Sequence, residues 1–167
     1  MGRAEELEFA NDLGRFYARQ YSMPPMTGTV LGWLMICDPP EQTAAEMAEA
    51  LGASRSAIGT AIGMLDTQRY LRRSKAPGDR RERISLYPTW NERSLDTPTE
   101  FFEMEQLGRR GLAALDGAPR ARQARLLEAI AFSAFLRERT SRWADEWRER
   151  RQQLIDSGEL PDPNDSG

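Results

Sequence analysis

Between Ser54 and Arg83 the chain places eight basic side chains, Arg55, Arg69, Arg72, Arg73, Lys75, Arg80, Arg81 and Arg83, against Asp66, Asp79 and Glu82. Guanidinium and ammonium donors at that density suit phosphate contact, because each donates several charge-assisted hydrogen bonds to anionic oxygens. Ser54, Ser56 and Thr60 add hydroxyls among them, and Gly59 adds no side chain at all. This segment carries a net charge of +5 and the remainder −8, giving the formal −3 of the whole. Attraction to a polyanion acts over a Debye length, about 8 Å at physiological salt, so the local excess outweighs the total.

Other chemistries are poorly supplied. There is no histidine and a single cysteine, Cys37. An intramolecular disulfide is excluded, and the commonest metal ligand and general base are missing. Neither a metal nor a cofactor is implied. A carboxylate-based enzyme would need paired acids in an enclosed cleft, and no such constellation stands out, so the chain reads as a non-enzyme. Cys37 falls at a predicted helix end beside Asp38, which favours the neutral thiol and the role of a small buried hydrophobe.

The elements that must position the basic residues are legible. Ala44, Ala45, Met47, Ala48 and Leu51 define one short amphipathic helix, and Ile58, Ala61, Ile62 and Leu65 a second. Thr43 with Glu46 forms a capping box, Gly52 suits a left-handed helix end, and Ser54 suits the next N-cap. With Ile58, Ile62 and Leu65 inward, the opposite face carries Ser54, Arg55, Ser56, Gly59, Thr60 and Gly63. Gly59 and Gly63 each cost about 1 kcal/mol relative to Ala in a helix interior, which points to close approach by DNA or another helix. Tyr70 to Arg73 and Arg83 to Tyr87 read as two strands joined by a hairpin tip with Pro77, Gly78, Arg80 and Arg81.

The pair A-E-M-A-E-A-L-G-A-S-R-S-A-I-G-T-A-I-G-M-L resembles the helix-turn-helix of bacterial transcription regulators. The stretch Y-L-R-R-S-K-A-P-G-D-R-R-E-R-I-S-L-Y is similar to the wing of MarR-type regulators, with Asp79 and Arg81 at the two defining positions of the family's D-x-R signature. The N-terminal helix, the linker after the wing and the glycines of the recognition helix look closest to the GbsR-like branch. The resemblance covers about residues 5 to 95. It implies that Asp79 orients an arginine reaching the minor groove.

Around this centre, residues 5 to 21 give an amphipathic helix with Phe9, Leu13, Phe16 and Tyr17 on one face, ended by Pro24 and Pro25. Thr27 to Cys37 gives a buried helix in which Gly28 and Gly32 allow a neighbour to approach closely. Residues 88 to 97 read as a polar link. Thr97, Pro98 and Glu100 start another helix, and Pro119 to Asp156 has no interior breaker, so a helix of about 57 Å follows.

The expected architecture is mainly α with a small β-hairpin: a winged helix-turn-helix with long N- and C-terminal dimerisation helices. Residues 1–22 form the N-terminal dimerisation helix and 24–95 the DNA-binding domain. Residues 97–156 form the C-terminal dimerisation helices and 157–167 a disordered acidic tail. The expected partners are double-stranded DNA, a second copy of the chain and a small-molecule effector. The expected function is a regulator, a repressor, acting as a homodimer on an inverted-repeat operator. A winged-helix protein-interaction module is the alternative, and it would show little salt-dependent DNA affinity.

The DNA-contacting set is Thr43, Ser54, Arg55, Ser56, Gly59 and Thr60 on the helix pair, with Arg72, Arg73, Lys75, Asp79, Arg80, Arg81 and Arg83 on the wing. Phe16, Tyr17, Trp33, Trp90 and Phe101 are candidate walls of an effector pocket. Aromatic faces there suit a quaternary ammonium by cation–π attraction, and ordinary core packing accounts for the same residues. No apolar run reaches the roughly 20 residues that cross a bilayer, and the acidic N-terminus lacks a signal-peptide layout, so the expected location is the cytoplasm.

Overall fold

The computed structural model describes residues 2–75, 78, 80–95 and 98–162. Their elements are mainly helical with one antiparallel hairpin, as the sequence led us to expect. They fall into two compact units, Met1–Trp90 and Asn91–Gly167.

The first unit opens with α1 (Arg3–Tyr21) and α2 (Pro25–Ile36). Ser22 ends α1 in a left-handed conformation with φ 53°, and Pro25 occupies the first turn of α2, where its missing N–H costs nothing. The two helices pack backbone against backbone. A Cβ on Gly28 would lie 2.9 Å from the Gly14 Cα, and one on Gly32 would lie 3.0 Å from the Ala10 Cα. α1 therefore belongs to the same compact unit as the winged helix. Every residue of α2 from Thr27 to Leu34 is buried, so it has no polar face.

α3 (Ala44–Leu51) and α4 (Arg55–Thr67) follow, separated by Gly52 at φ 60°. The Thr43 hydroxyl accepts from the Glu46 N–H at 3.2 Å, and the Glu46 carboxylate accepts from the Thr43 N–H at 2.7 Å. Ser54 Oγ accepts from the Ala57 N–H at 3.1 Å. The expected caps are in place. Val30, Leu31, Leu34, Met47, Ile58, Ile62 and Leu65 make the core with Leu71 and Ile84 from the hairpin.

The hairpin consists of β1 (Leu71–Ser74) and β2 (Arg83–Leu86), with Leu71 opposite Leu86 and Ser74 opposite Arg83. Gln42 adds a one-residue third strand, exchanging backbone hydrogen bonds of 2.9 and 2.8 Å with Ile84. That tie roots the wing in the loop ahead of α3. The link after the wing is not extended: Trp90–Leu95 form a 3-10 turn.

The second unit is a helical hairpin of α5 (Pro98–Ala113) and the 37-residue α6 (Arg120–Asp156). A Cβ on Gly108 would sit 2.7 Å from Ile130 Cγ1, so the helices meet closely there too. Glu105 on α5 is buried between Arg109 at 2.6 Å and Arg137 of α6 at 3.4 Å. Its hydrogen bond from Arg109 holds its carboxyl below the usual range. The acidic tail begins as an ordered cap, with the Glu159 and Leu160 N–H groups donating to the Leu154 carbonyl at 2.9 and 3.0 Å. The last five residues lie outside those described.

Candidate nucleic-acid interface

On α4, Ile58, Ala61, Ile62 and Leu65 point into the core, which leaves Arg55, Ser56, Gly59, Thr60 and Gly63 exposed. A Cβ built on Gly59 or Gly63 meets nothing within 4 Å. None of the described residues packs closely against these glycines, so the helix presents a smooth face there. Ser54 and Thr43 both spend their hydroxyls on helix caps, and Thr43 is buried. Their contribution is to orient backbone N–H groups and the positive helix ends.

Arg72, Arg73, Lys75, Arg80 and Arg81 of the wing are exposed. Arg73 and Arg83 also tie the hairpin to its surroundings. Arg73 Nε donates to Asp66 Oδ2 at 3.0 Å and its Nη1 donates to Glu82, linking the last turn of α4 to the wing. These acidic partners push the Arg73 guanidinium above its ordinary pKa. Arg83 Nη1 donates to the Glu41 carbonyl at 3.1 Å and lies 3.8 Å from Glu46, while the Ser74 hydroxyl donates to the Glu41 carboxylate at 3.0 Å. Glu46 is held below the usual carboxylate range, first by the Thr43 N–H and also by nearby Arg83 and Arg81. Asp79 lies outside the described residues.

Glu41, Gln42, Asp66 and Glu82 are the members of this arrangement that sequence reasoning missed. Each is an ordinary polar residue of a loop or helix end. The signal was charge complementarity between Asp66, Arg73 and Glu82, legible only once strand and helix are laid side by side.

The aromatic candidates of the first unit, with their neighbours, fall into three groups. Phe16 and Tyr17 meet edge-on with centroids 5.5 Å apart, and Tyr21 joins them. Trp90 packs edge-on against Tyr70 at 5.5 Å. Burial raises the phenol pKa of both Tyr17 and Tyr70, so the pair is uncharged at neutral pH. Trp33 is buried beneath Arg3, whose guanidinium carbon stands 4.4 Å from the ring centroid. Arg3 and Tyr17 are about 21 Å apart along α1. Phe101 belongs to the second unit. Cys37 is buried, and desolvation pushes its thiol up to about 11, with Asp38 adding to the rise.

Comparison with known proteins agrees with this geometry. Residues 21–82 match the model of the MarR family, and residues 89–150 match that of MmpR5-like MarR family transcriptional regulators. The HTH-type transcriptional regulator MmpR5 of Mycobacterium tuberculosis (strain ATCC 25618 / H37Rv) is 33% identical over 131 residues, 78% of this chain and 79% of that one. A crystal structure of a transcriptional regulator superposes with a TM-score of 0.78 at 30% identity, over 87% of this chain and 99% of that one. With an open, small-residue recognition helix beside a cationic wing, and these relatives on both halves of the sequence, the chain belongs to the MarR family of DNA-binding transcriptional regulators.

Proposed function

We propose that the chain acts in the cytoplasm as a homodimeric repressor on an inverted-repeat operator and is released by a small-molecule ligand. The observation that carries the DNA contact is the exposed α4 face with nothing within 4 Å of Gly59 or Gly63. Backbone can approach backbone there. Arg55, Ser56 and Thr60 reach base edges or the sugar-phosphate chain, and Ser54 sets the helix end that faces phosphate. Arg72 and Lys75 meet phosphates, while Arg80 and Arg81 border the minor groove, where a narrow groove concentrates negative potential. The family resemblance assigns Asp79, outside the described residues, the part of orienting Arg81. Arg73, Arg83 and Thr43 hold this surface in register.

Release needs a ligand that binds the free and DNA-bound arrangements unequally. The GbsR-like placement rests on the sequence resemblance alone. The family match over residues 89–150 supports an MmpR5-like member instead.

Selection of bound genomic fragments is the test. It should return an inverted repeat whose half-site centres lie about one helical turn, 34 to 36 Å, apart. Arg81→Ala should weaken binding to that operator and to random DNA alike. Unchanged affinity removes the wing from the mechanism, and fragments with single half-sites only remove the dimer.

A further inference from the structure

Beside Trp33, between the start of α1, the end of α2 and the outer face of α3, lies a cavity of about 450 Å³. Its lining holds three carboxylates, Asp38, Glu46 and Glu49, against one cation, Arg3. Glu46 is engaged by the α3 cap and by Arg83, but Asp38 and Glu49 form no ion pair among the described residues. Trp33 is 3% exposed, and its indole Nε1 is buried without a hydrogen-bond partner among them. The cavity thus sets the Trp33 ring, covered by Arg3, beside two carboxylates, Asp38 and Glu49, that have no cationic partner among the described residues, while Glu46 already has Arg83 at 3.8 Å.

One side chain shows what such a place accepts. The Arg3 guanidinium stacks over the Trp33 ring at 4.4 Å and donates from Nη2 to the Ala50 carbonyl at 3.2 Å. Its nearest carboxylate, Glu6 at 3.8 Å, belongs to α1 itself and not to the cavity. We propose that this is a binding site for a planar organic cation of guanidinium or amidinium type, with Arg3 as its internal occupant. A quaternary ammonium is disfavoured, because it has no N–H for the Ala50 carbonyl. An incoming cation takes the Trp33 face and that carbonyl, and gains Asp38 and Glu49 as counter-ions. Displacing Arg3 also cuts the hydrogen bond that joins the start of α1 to the end of α3. On the DNA-binding reading above, the site then acts on the first helix of the recognition hairpin.

Ethylguanidinium chloride is the probe, titrated at constant ionic strength into protein carrying 5-fluorotryptophan. Of the four tryptophans, Trp90, Trp143 and Trp147 are assigned by single Phe replacements, which leaves Trp33 intact. The Trp33 fluorine signal should move saturably. In Arg3→Ala the apparent affinity should rise about tenfold, the factor by which an internal occupant filling its site roughly nine-tenths of the time weakens a competitor. Asp38→Asn with Glu49→Gln should weaken binding, and tetramethylammonium should not saturate. A linear, non-saturating shift, an unchanged affinity in Arg3→Ala, or equal binding of tetramethylammonium overturns the site. DNA affinity is measured separately: Arg3→Ala should reproduce the change seen with saturating probe. Saturable binding with no change on DNA leaves the site standing and overturns its regulatory role.

Discussion

Arg72 and Arg73 are neighbours on β1 with opposite duties, set by the alternation of a strand. Arg72 stands exposed opposite Ser85, while Arg73 reaches Asp66 and Glu82. Arg72→Ala should lower DNA affinity and reduce the slope of log affinity against log salt by about one, with no change in thermal unfolding. Arg73→Ala should weaken DNA binding only through the wing's position. Its stability effect is below about 1 kcal/mol, because the partners are more than a third exposed, and a double-mutant cycle with Asp66→Ala should show coupling. Glu46 gives a second test. Its pKa is depressed in the fold, so its stabilisation is present above the unfolded value of about 4.3 and is lost as pH falls through the folded value. The stability difference between the native chain and Glu46→Gln should therefore shrink below about pH 4.3, read by thermal unfolding across a pH series.

At the scale of the elements, glycines that look alike in sequence do opposite work. Gly28 and Gly59 both interrupt apolar helical patterns, and both were legible as points of close approach. A Cβ on Gly28 would strike backbone at 2.9 Å, whereas one on Gly59 would enter open space. Gly28→Ala should push α1 from α2 and lose about 1 to 3 kcal/mol of stability. Gly59→Ala should gain about 0.5 to 1 kcal/mol while reducing operator affinity, a combination that separates a DNA-facing glycine from a merely tolerated one. Calorimetry and a binding titration on the same two variants decide it. The caps at Thr43, Gly52 and Ser54 and the long last helix were readable because each depends on neighbours within four residues, and the hairpin because two alternating runs flank one tip rich in turn residues. The Gln42 bridge to Ile84 was not, since its partner is 42 residues away, nor was the Arg73 clamp, since it needs the packing of the β1 strand against the end of α4. The effector-pocket reading grouped Trp33 with Tyr17, and only the antiparallel packing of α1 on α2 shows that Trp33 sits at the Arg3 end.

For the whole molecule, assembly turns on apolar surface that the described residues do not cover. On α6, Phe132, Phe135 and Trp143 are 60%, 52% and 51% exposed. At 100° per residue they fall within about 80° of one another, a single stripe along a helix of roughly 55 Å. α5 adds Phe102, Met104 and Leu107, each about half exposed. Scattered exposed apolar residues are ordinary, but an aligned stripe of large aromatic ones marks a contact surface. In the homodimer we propose, a second copy covers it, and each copy then delivers one recognition helix to one half-site. The coupling of two such sites raises affinity through effective concentration without any new base contact. Phe132→Glu with Trp143→Glu places two charges on that stripe and leaves Met1–Trp90 untouched. Light scattering should report a monomer, and far-UV circular dichroism should retain the helical signal. Operator affinity should fall by about a hundredfold or more, approaching that of a single half-site. A double variant that stays dimeric would move the interface off this face of α6.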